Sequence, residues 1–316
     1  MRTEIRDDVV AFIQQWSGLC EYPAGRFLGW LGLSRGRFRD WVSRSGQANR
    51  HNARAPSSHW LLPCEVQAIT AFAAQFHDTG YRRLSYMMLD ADIVAASPAS
   101  IYRVLCKADM MRPHCIVSTR KGQGFEQPEK LHEHWHIDIS YVKLQGTFYY
   151  MLSILDGASR YLVHWELRPS FHTDEVETML QRAREKFPAA RPRIISDNGP
   201  QFVAREFKEF IRLCDMSHVR TSPYYPQSNG KIERYHRSIK TECLRPGTPL
   251  DLVDARRLIT GYVEHYNTVR LHSGIGYITP HACLHGLRDE IESQRRVKLQ
   301  AARERRHQAA QSSSEA

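Results

Sequence analysis

The sequence is short of acid, of paired cysteine and of long apolar runs. Its 316 residues carry 44 Lys and Arg against 34 Asp and Glu, a net charge of +10. A surface with that surplus attracts polyanions, of which nucleic acid is the commonest. The seven cysteines (Cys20, Cys64, Cys106, Cys115, Cys214, Cys243, Cys283) are odd in number and scattered, with no C-x-x-C. This speaks against a disulfide framework or a cysteine-rich zinc site and fits a reducing cytosol. No run approaches the ~18–20 apolar residues of a membrane span, and the opening M-R-T-E-I-R-D-D has no apolar signal-peptide core. The expectation is a cytoplasmic protein without a membrane partner. What is present suffices for two or three domains, each with a buried core.

Residues 8–20 carry apolar positions at helical spacing after an acidic start. In the next stretch, Leu28, Trp30, Leu31 and Leu33 are expected to bury one short helix. Ser34 then caps another that buries Phe38, Trp41 and Val42 and exposes Arg35, Arg37, Arg39 and Arg44. Two short helices across a glycine-containing turn read as a helix-turn-helix. From Arg26 to Trp60 there are seven arginines and one acid, Asp40, so this is either a DNA-contacting unit or a helical hairpin with a solvated basic face. A polar segment over 45–58 reads as a linker. A second unit follows, with Val66, Ile69, Phe72, Ala73 and Phe76 on one stripe and a break at Gly80. Ser97-Pro98 then caps a helix that buries Ile101, Val104 and Leu105 and leaves Arg103 facing a groove or water. The expected domains are 1–55, 56–128, 129–246 and a C-terminal helical segment with a basic tail over 247–316.

From residue 135 the pattern changes to strands. W-H-I-D-I-S-Y-V-K-L alternates, F-Y-Y-M-L-S-I-L-D is nearly continuous and apolar, and R-Y-L-V-H-W-E-L forms a third, with tight turns between. Thr173 is expected to cap a helix. R-I-I-S-D is a short buried strand, Phe202–Cys214 a helix and His218–Thr221 a last strand. The order gives a mixed sheet flanked by helices, an α/β fold.

The chemistry gathers at three places. Asp138 lies mid-strand, facing away from Ile137 and Ile139. Asp197 ends a strand, before the Asn198-Gly199 turn. Glu233 opens a helix after a loop punctuated by Pro223, Pro226 and Gly230, and shares its face with Arg237 and Lys240 at i, i+4 and i+7. Each has a structural alternative: a strand aspartate bonded to a turn, an Asx turn, a solvated charged face. Together, three carboxylates without a cysteine favour Mg²⁺ or Mn²⁺ over zinc. Two such ions can clamp the attacking and leaving oxygens of a phosphoryl transfer.

W-H-I-D-I-S-Y, S-D-N-G-P-Q-F and Y-P-Q-S-N-G-K-I-E-R-Y-H-R-S-I-K resemble the three blocks of retroviral-integrase-like DDE transposases. Asp197 and Glu233 have 35 residues between them, and Lys240 follows Glu233 by seven, as in that family. L-G-L-S-R-G-R-F-R-D-W, T-G-Y-R-R-L, S-I-Y-R-V-L and Y-N-T-V-R-L-H-S-G-I-G-Y-I-T-P narrow the resemblance to OrfB-type transposases of the IS-three insertion-sequence family, over about residues 26–285. One departure from retroviral integrases is that no His-His-Cys-Cys module precedes the core. The resemblance implies an RNase H-like five-stranded core preceded by helix-turn-helix units, with Asp138, Asp197 and Glu233 as catalytic ligands of two ions. It implies DNA contacts from Lys231, Arg237, Lys240, Arg35, Arg37, Arg39 and Arg103, and a site lined by Asn198 and Gln227. It further implies a homo-oligomer on DNA, joined by an upstream-encoded helix-turn-helix subunit. Other readings are a nuclease of the same fold that only hydrolyses, and a helix-turn-helix regulator with an inert core.

Overall fold

A strand that alternates and a helix that repeats every 3.6 residues need different partners, and this chain supplies both around one sheet. The structure, a computed structural model, describes residues 3–47, 60–111, 128–220 and 229–315. It divides into two compact units, residues 1–60 with 306–316, and residues 61–305.

The first unit holds α1 (Thr3–Leu19), α2 (Ala24–Trp30) and α3 (Arg35–Ser43). Ser34 caps α3 by accepting from the Arg37 amide at 3.3 Å, a contact worth about 1 kcal/mol. The core is small: Ile13, Phe27 and Leu28 are buried, with Val9, Ala24, Leu33 and Phe38 against them. Trp30 and Leu31, expected inside, are exposed, and α3 buries no residue. A helix of nine residues with four charges has too narrow an apolar stripe to bury Trp41 and Val42 fully.

The second unit opens with α4 (Pro63–Gln75), α5 (Tyr81–Asp90) and α6 (Pro98–Lys107). Ile69, Ala73, Leu84, Met88, Ile101 and Leu105 form their core. Ser97 accepts from Ser100 N at the head of α6, with Pro98 at its first turn. Arg103 is exposed, with its Nε on the Ala99 carbonyl at 3.2 Å.

The sheet comprises β1 (His134–Leu144), β2 (Thr147–Asp156), β3 (Leu162–Arg168), β4 (Arg193–Ser196) and β5 (Ser217–Arg220), in the order β3-β2-β1-β4-β5. The first three are antiparallel, while β4 and β5 run parallel to β1 and to each other. This is the RNase H-like topology. Between the strands lie α7 (Thr173–Lys186), α8 (Pro200–Val203) and α9 (Arg205–Leu213). His172, not Thr173, is the N-cap of α7, with Glu175 reaching back to its amide at 2.8 Å. The single helix expected over 202–214 is broken at Ala204, whose ψ of 146° is extended. Alternation sends Trp135, Ile137, Leu152 and Ile154 to the face covered by α7 and α9. It sends Val142, Leu144, Met151 and Leu155 to the opposite face.

That opposite face is covered by α10 (Gly230–Ile239) and α12 (Leu252–Thr268), which bury Ile232, Tyr235, Ile239, Ile259 and Tyr266. A π-turn over Lys240–Leu244 and the short α11 (Arg245–Gly247) continue α10. Then come α13 (Pro280–Leu284) and α14 (Arg288–Glu315), so the expected tail is helical. Arg295 of α14 grips Asp90 with Nε at 2.7 Å and Nη2 at 2.6 Å, above the Tyr86 ring.

Candidate active site

Alternation fixes where Asp138 points. Ile137 goes into the core under α7 and α9, so Asp138 faces α10. There its Oδ2 lies 3.4 Å from His236 Nδ1, while Oδ1 accepts from the Ile139 amide at 2.9 Å. His236 Nε2 lies 3.2 Å from Ser153 Oγ on β2. Ser153 is the registered partner of Asp138 across the strand pair. A carboxylate only accepts, so Nδ1 donates, and the imidazole is held at both ends.

Three further contacts fix α10 on the sheet. Asn229, at its N-cap, sets Oδ1 3.4 Å from His136 Nδ1. Lys231 Nζ donates to the Gly157 carbonyl at 3.1 Å. Ile232, Tyr235 and Ile239 bury the inner stripe, which contributes about 1.5–3 kcal/mol for each fully buried large side chain. Burial, with the nearby Lys231 charge, pushes His136 down to about 3. Burial first, then Arg160, pushes Lys231 down to about 7. Lys231, expected on DNA, is thus half-buried and engaged with the sheet.

The outer face of α10 looks into an open cavity of about 380 Å³, lined by Asp138, Glu233, His236, Arg237, Lys240 and Arg245 among others. The helical spacing therefore places Glu233, Arg237 and Lys240 together, beside Asp138. Glu233 is exposed, and among the described residues its carboxylate makes no hydrogen bond or ion pair. Burial lowers the Lys240 ammonium, and the Asp138 carboxylate opposes that shift.

Asp197 does not line this cavity. It is exposed one residue beyond β4, with Oδ1 accepting from Gly199 N at 3.0 Å. A Cβ on Gly199 would sit 3.1 Å from that oxygen, a tight contact that the Asp197 side chain would have to yield to by a few tenths of an ångström. The parallel pairing of β1 with β4 ends at His136 and Ile195; the same register carried two residues further would set Asp138, in the middle of β1, level with Asp197, one residue beyond β4. Among the described residues, no three His, Cys, Asp or Glu side chains are close enough to form a ready metal cage. Asn198 is exposed beside Asp197, and Gln227 lies outside the described residues. Arg35, Arg37, Arg39 and Arg103 are exposed on α3 and α6.

Two features escaped the sequence reading. His236 was legible only as a helical histidine, because its partner strands lie 83 or more residues upstream. Arg245 had no periodic signal at all: at an α-helical pitch Leu244, not Arg245, follows Lys240 on the face of Glu233. A contrasting carboxylate is Asp156, fully buried and taken up by the amides of His132 and Ser159 and by Ser159 Oγ. It holds a turn and has no oxygen to offer.

An integrase core domain family model matches residues 128–226, and a second integrase core domain model matches 214–280. An insertion element IS136 protein of Agrobacterium fabrum is 30% identical over 134 residues, 40% of this chain and 69% of that protein. The transposase InsD for an insertion element IS2 of Escherichia coli is 24% identical over 64% of this chain and 71% of its own length. An insertion element IS476 protein of Xanthomonas euvesicatoria is 26% identical over 68% of this chain. The chain spans 64% of the length of this last relative.

Proposed function

Because this chain belongs to the integrase-core DDE transposases of bacterial insertion elements, we propose that it cleaves DNA at the ends of such an element and joins the freed 3′-hydroxyl to another phosphodiester. The observation that carries the proposal is the pairing of Asp138 and Glu233 in one open cavity, and continuing the β1–β4 register two residues past its last pair would bring Asp197 level with Asp138. The open oxygens suit a hard divalent cation: among the described residues Glu233 has no protein partner and Asp197 Oδ2 has none either. Asp138, Asp197 and Glu233 would hold Mg²⁺ or Mn²⁺, two ions in this reading, which supply the charge that activates water or a 3′-hydroxyl and neutralises the leaving oxygen.

The chain's own residues do the rest. His236 keeps Asp138 turned toward α10. Arg237 and Lys240 hold the phosphate being attacked, opposite the carboxylates. Asn198 and Gln227 line the approach, and Lys231 secures the start of α10 on the sheet. Arg35, Arg37, Arg39 and Arg103 contact the backbone of DNA held in the helical units. The proposed partners are element ends and target DNA, a second copy of the chain on that DNA, and a separately encoded helix-turn-helix subunit. Among the described residues no helix is long and apolar enough to cross a membrane, and work on DNA puts the proposed location in the bacterial cytoplasm.

The test is a Mg²⁺-dependent assay on duplex DNA bearing the inverted repeats that flank the gene. Joined product is expected. Nicking without joining would favour a hydrolytic nuclease of the same fold, and binding without either would favour a regulator.

A further inference from the structure

Pro246 cannot donate to the carbonyl of Glu242, and its ring crowds that carbonyl, so a regular helix does not run through it. Upstream of it the chain widens. The Arg245 amide bonds to Lys240 O, five residues back, closing the π-turn over Lys240–Leu244. A π-turn inserts one residue into the helical count. Glu233, Arg237 and Lys240 lie within about 60° of one another at 3.6 residues per turn, and the next place on that face falls to Arg245 instead of Leu244. The surroundings agree: Leu244 packs against the core beneath α12, Cys243 is buried, and Arg245 is exposed and lines the catalytic cavity.

Arg245, Lys240 and Tyr141 also line a second cavity, of about 650 Å³, so the two adjoin. The end of β1, from Val142 to Gln145, and the segment from Thr248 to Leu250 line the rest of it. Lys143 belongs to that strand end, but alternation turns its side chain to the face opposite Val142 and Leu144, where its ammonium lies 5.7 Å from the Phe148 ring centre. Both carboxylates, Asp138 and Glu233, line the first cavity, whereas Lys240 and Arg245 line the second and no acid does. A cavity with cations and no carboxylate, beside a phosphoryl-transfer site, suits a continuous polyanion.

We propose that the second cavity is a subsite for the backbone of the DNA flanking the reacting phosphodiester, and that Arg245, carried onto the catalytic face by the π-turn, grips a phosphate there. The inference rests on the reading of this site as a DNA-joining centre. The guanidinium presents a fork of donors matched to two phosphate oxygens.

The test is a salt titration of binding to a plain duplex oligonucleotide, followed by fluorescence anisotropy on the full chain. Arg245→Gln should reduce the log–log salt slope by about one unit, with Arg245→Lys restoring it. Arg257→Gln, on the exposed side of α12, should leave the slope unchanged. An unchanged slope in Arg245→Gln, or a lowered slope that Arg245→Lys does not restore, overturns the inference. Joining by the wild type is scored in parallel. If it joins DNA while Arg245→Gln keeps its slope, the subsite alone is wrong; if it joins nothing under any condition, the reading of the site is wrong.

Discussion

Helices α3 and α10 are both short, both rich in cations, and built on opposite principles. Helix α3 carries Arg35, Arg37 and Arg39, buries none of its nine residues, and is held by one serine cap and a small apolar cluster. Helix α10 carries Arg234 and Arg237, with Lys240 immediately beyond. It buries four of its ten residues and is tied to the sheet through Asn229, Lys231 and His236. A charge that neutralises a phosphate anywhere along a duplex needs reach and little else. A carboxylate that must meet two others within a fraction of an ångström needs a rigid support. The contrast assigns attraction to the first helix and chemistry to the second.

If that division holds, substitutions on α10 and β1 remove chemistry and spare binding. Glu233→Gln and Asp138→Asn should abolish both cleavage and joining, with duplex affinity changed little, as followed by gel shift beside a product assay. Loss of both functions together would mean that the carboxylates also hold the fold. The next largest effect is expected at His236, which acts through Asp138. His236→Ala should lower the joining rate about 10–100-fold and raise the Mg²⁺ needed for half-maximal rate, as removal of a residue that orients a ligand does. A lower rate with an unchanged Mg²⁺ requirement would make its part purely structural.

Smaller effects separate the two helices by salt dependence. Arg37→Gln with Arg39→Gln should lower the log–log salt slope of DNA binding by about two, while the joining rate at saturating DNA stays at the wild-type level. Lys240→Ala should lower the slope by about one and leave the Mg²⁺ requirement alone. If Lys240→Ala instead raises that requirement sharply, the lysine orders the carboxylates and the division within α10 must be redrawn.

The smallest effect is thermodynamic. Lys231 is pushed from its ordinary 10.5 to about 7 in the folded chain by burial. Between those values the unfolded chain holds the proton and the folded chain does not, so stability rises with pH across that window. The penalty for charging Lys231 is full below about 7. Lys231→Met should flatten the difference in melting temperature between pH 7 and pH 10, and an unaltered pH profile would place the ammonium in water.

Much of this was legible in the chain. The caps at Ser34 and Ser97 follow from side-chain oxygens just ahead of a helical period, and each accepts from the amide three residues on. The burial of Ile137 and the opposite facing of Asp138 follow from alternation. The grouping of Glu233, Arg237 and Lys240 follows from 3.6 residues per turn. What could not be read depends on partners distant in sequence or on a broken period. His236 meets strands far upstream, and Asp90 finds Arg295 205 residues away. The break at Ala204 and the π-turn before Arg245 each change the count that periodicity assumes. The burial of Trp30 was misjudged because an apolar residue on a small helical unit need not find a core large enough to receive it.

Asp197 is where the account is most exposed, because the β1–β4 register must be continued two residues past its last pair to bring it level with Asp138, and it lies outside the cavity that holds Asp138 and Glu233. The direct measurement is joining of duplex DNA in Mg²⁺ by purified Asp197→Asn beside the wild type, with DNA binding confirmed for both. The account predicts joined product from the wild type and none from the variant; an Asp197→Asn protein that still joins DNA in Mg²⁺ would contradict it.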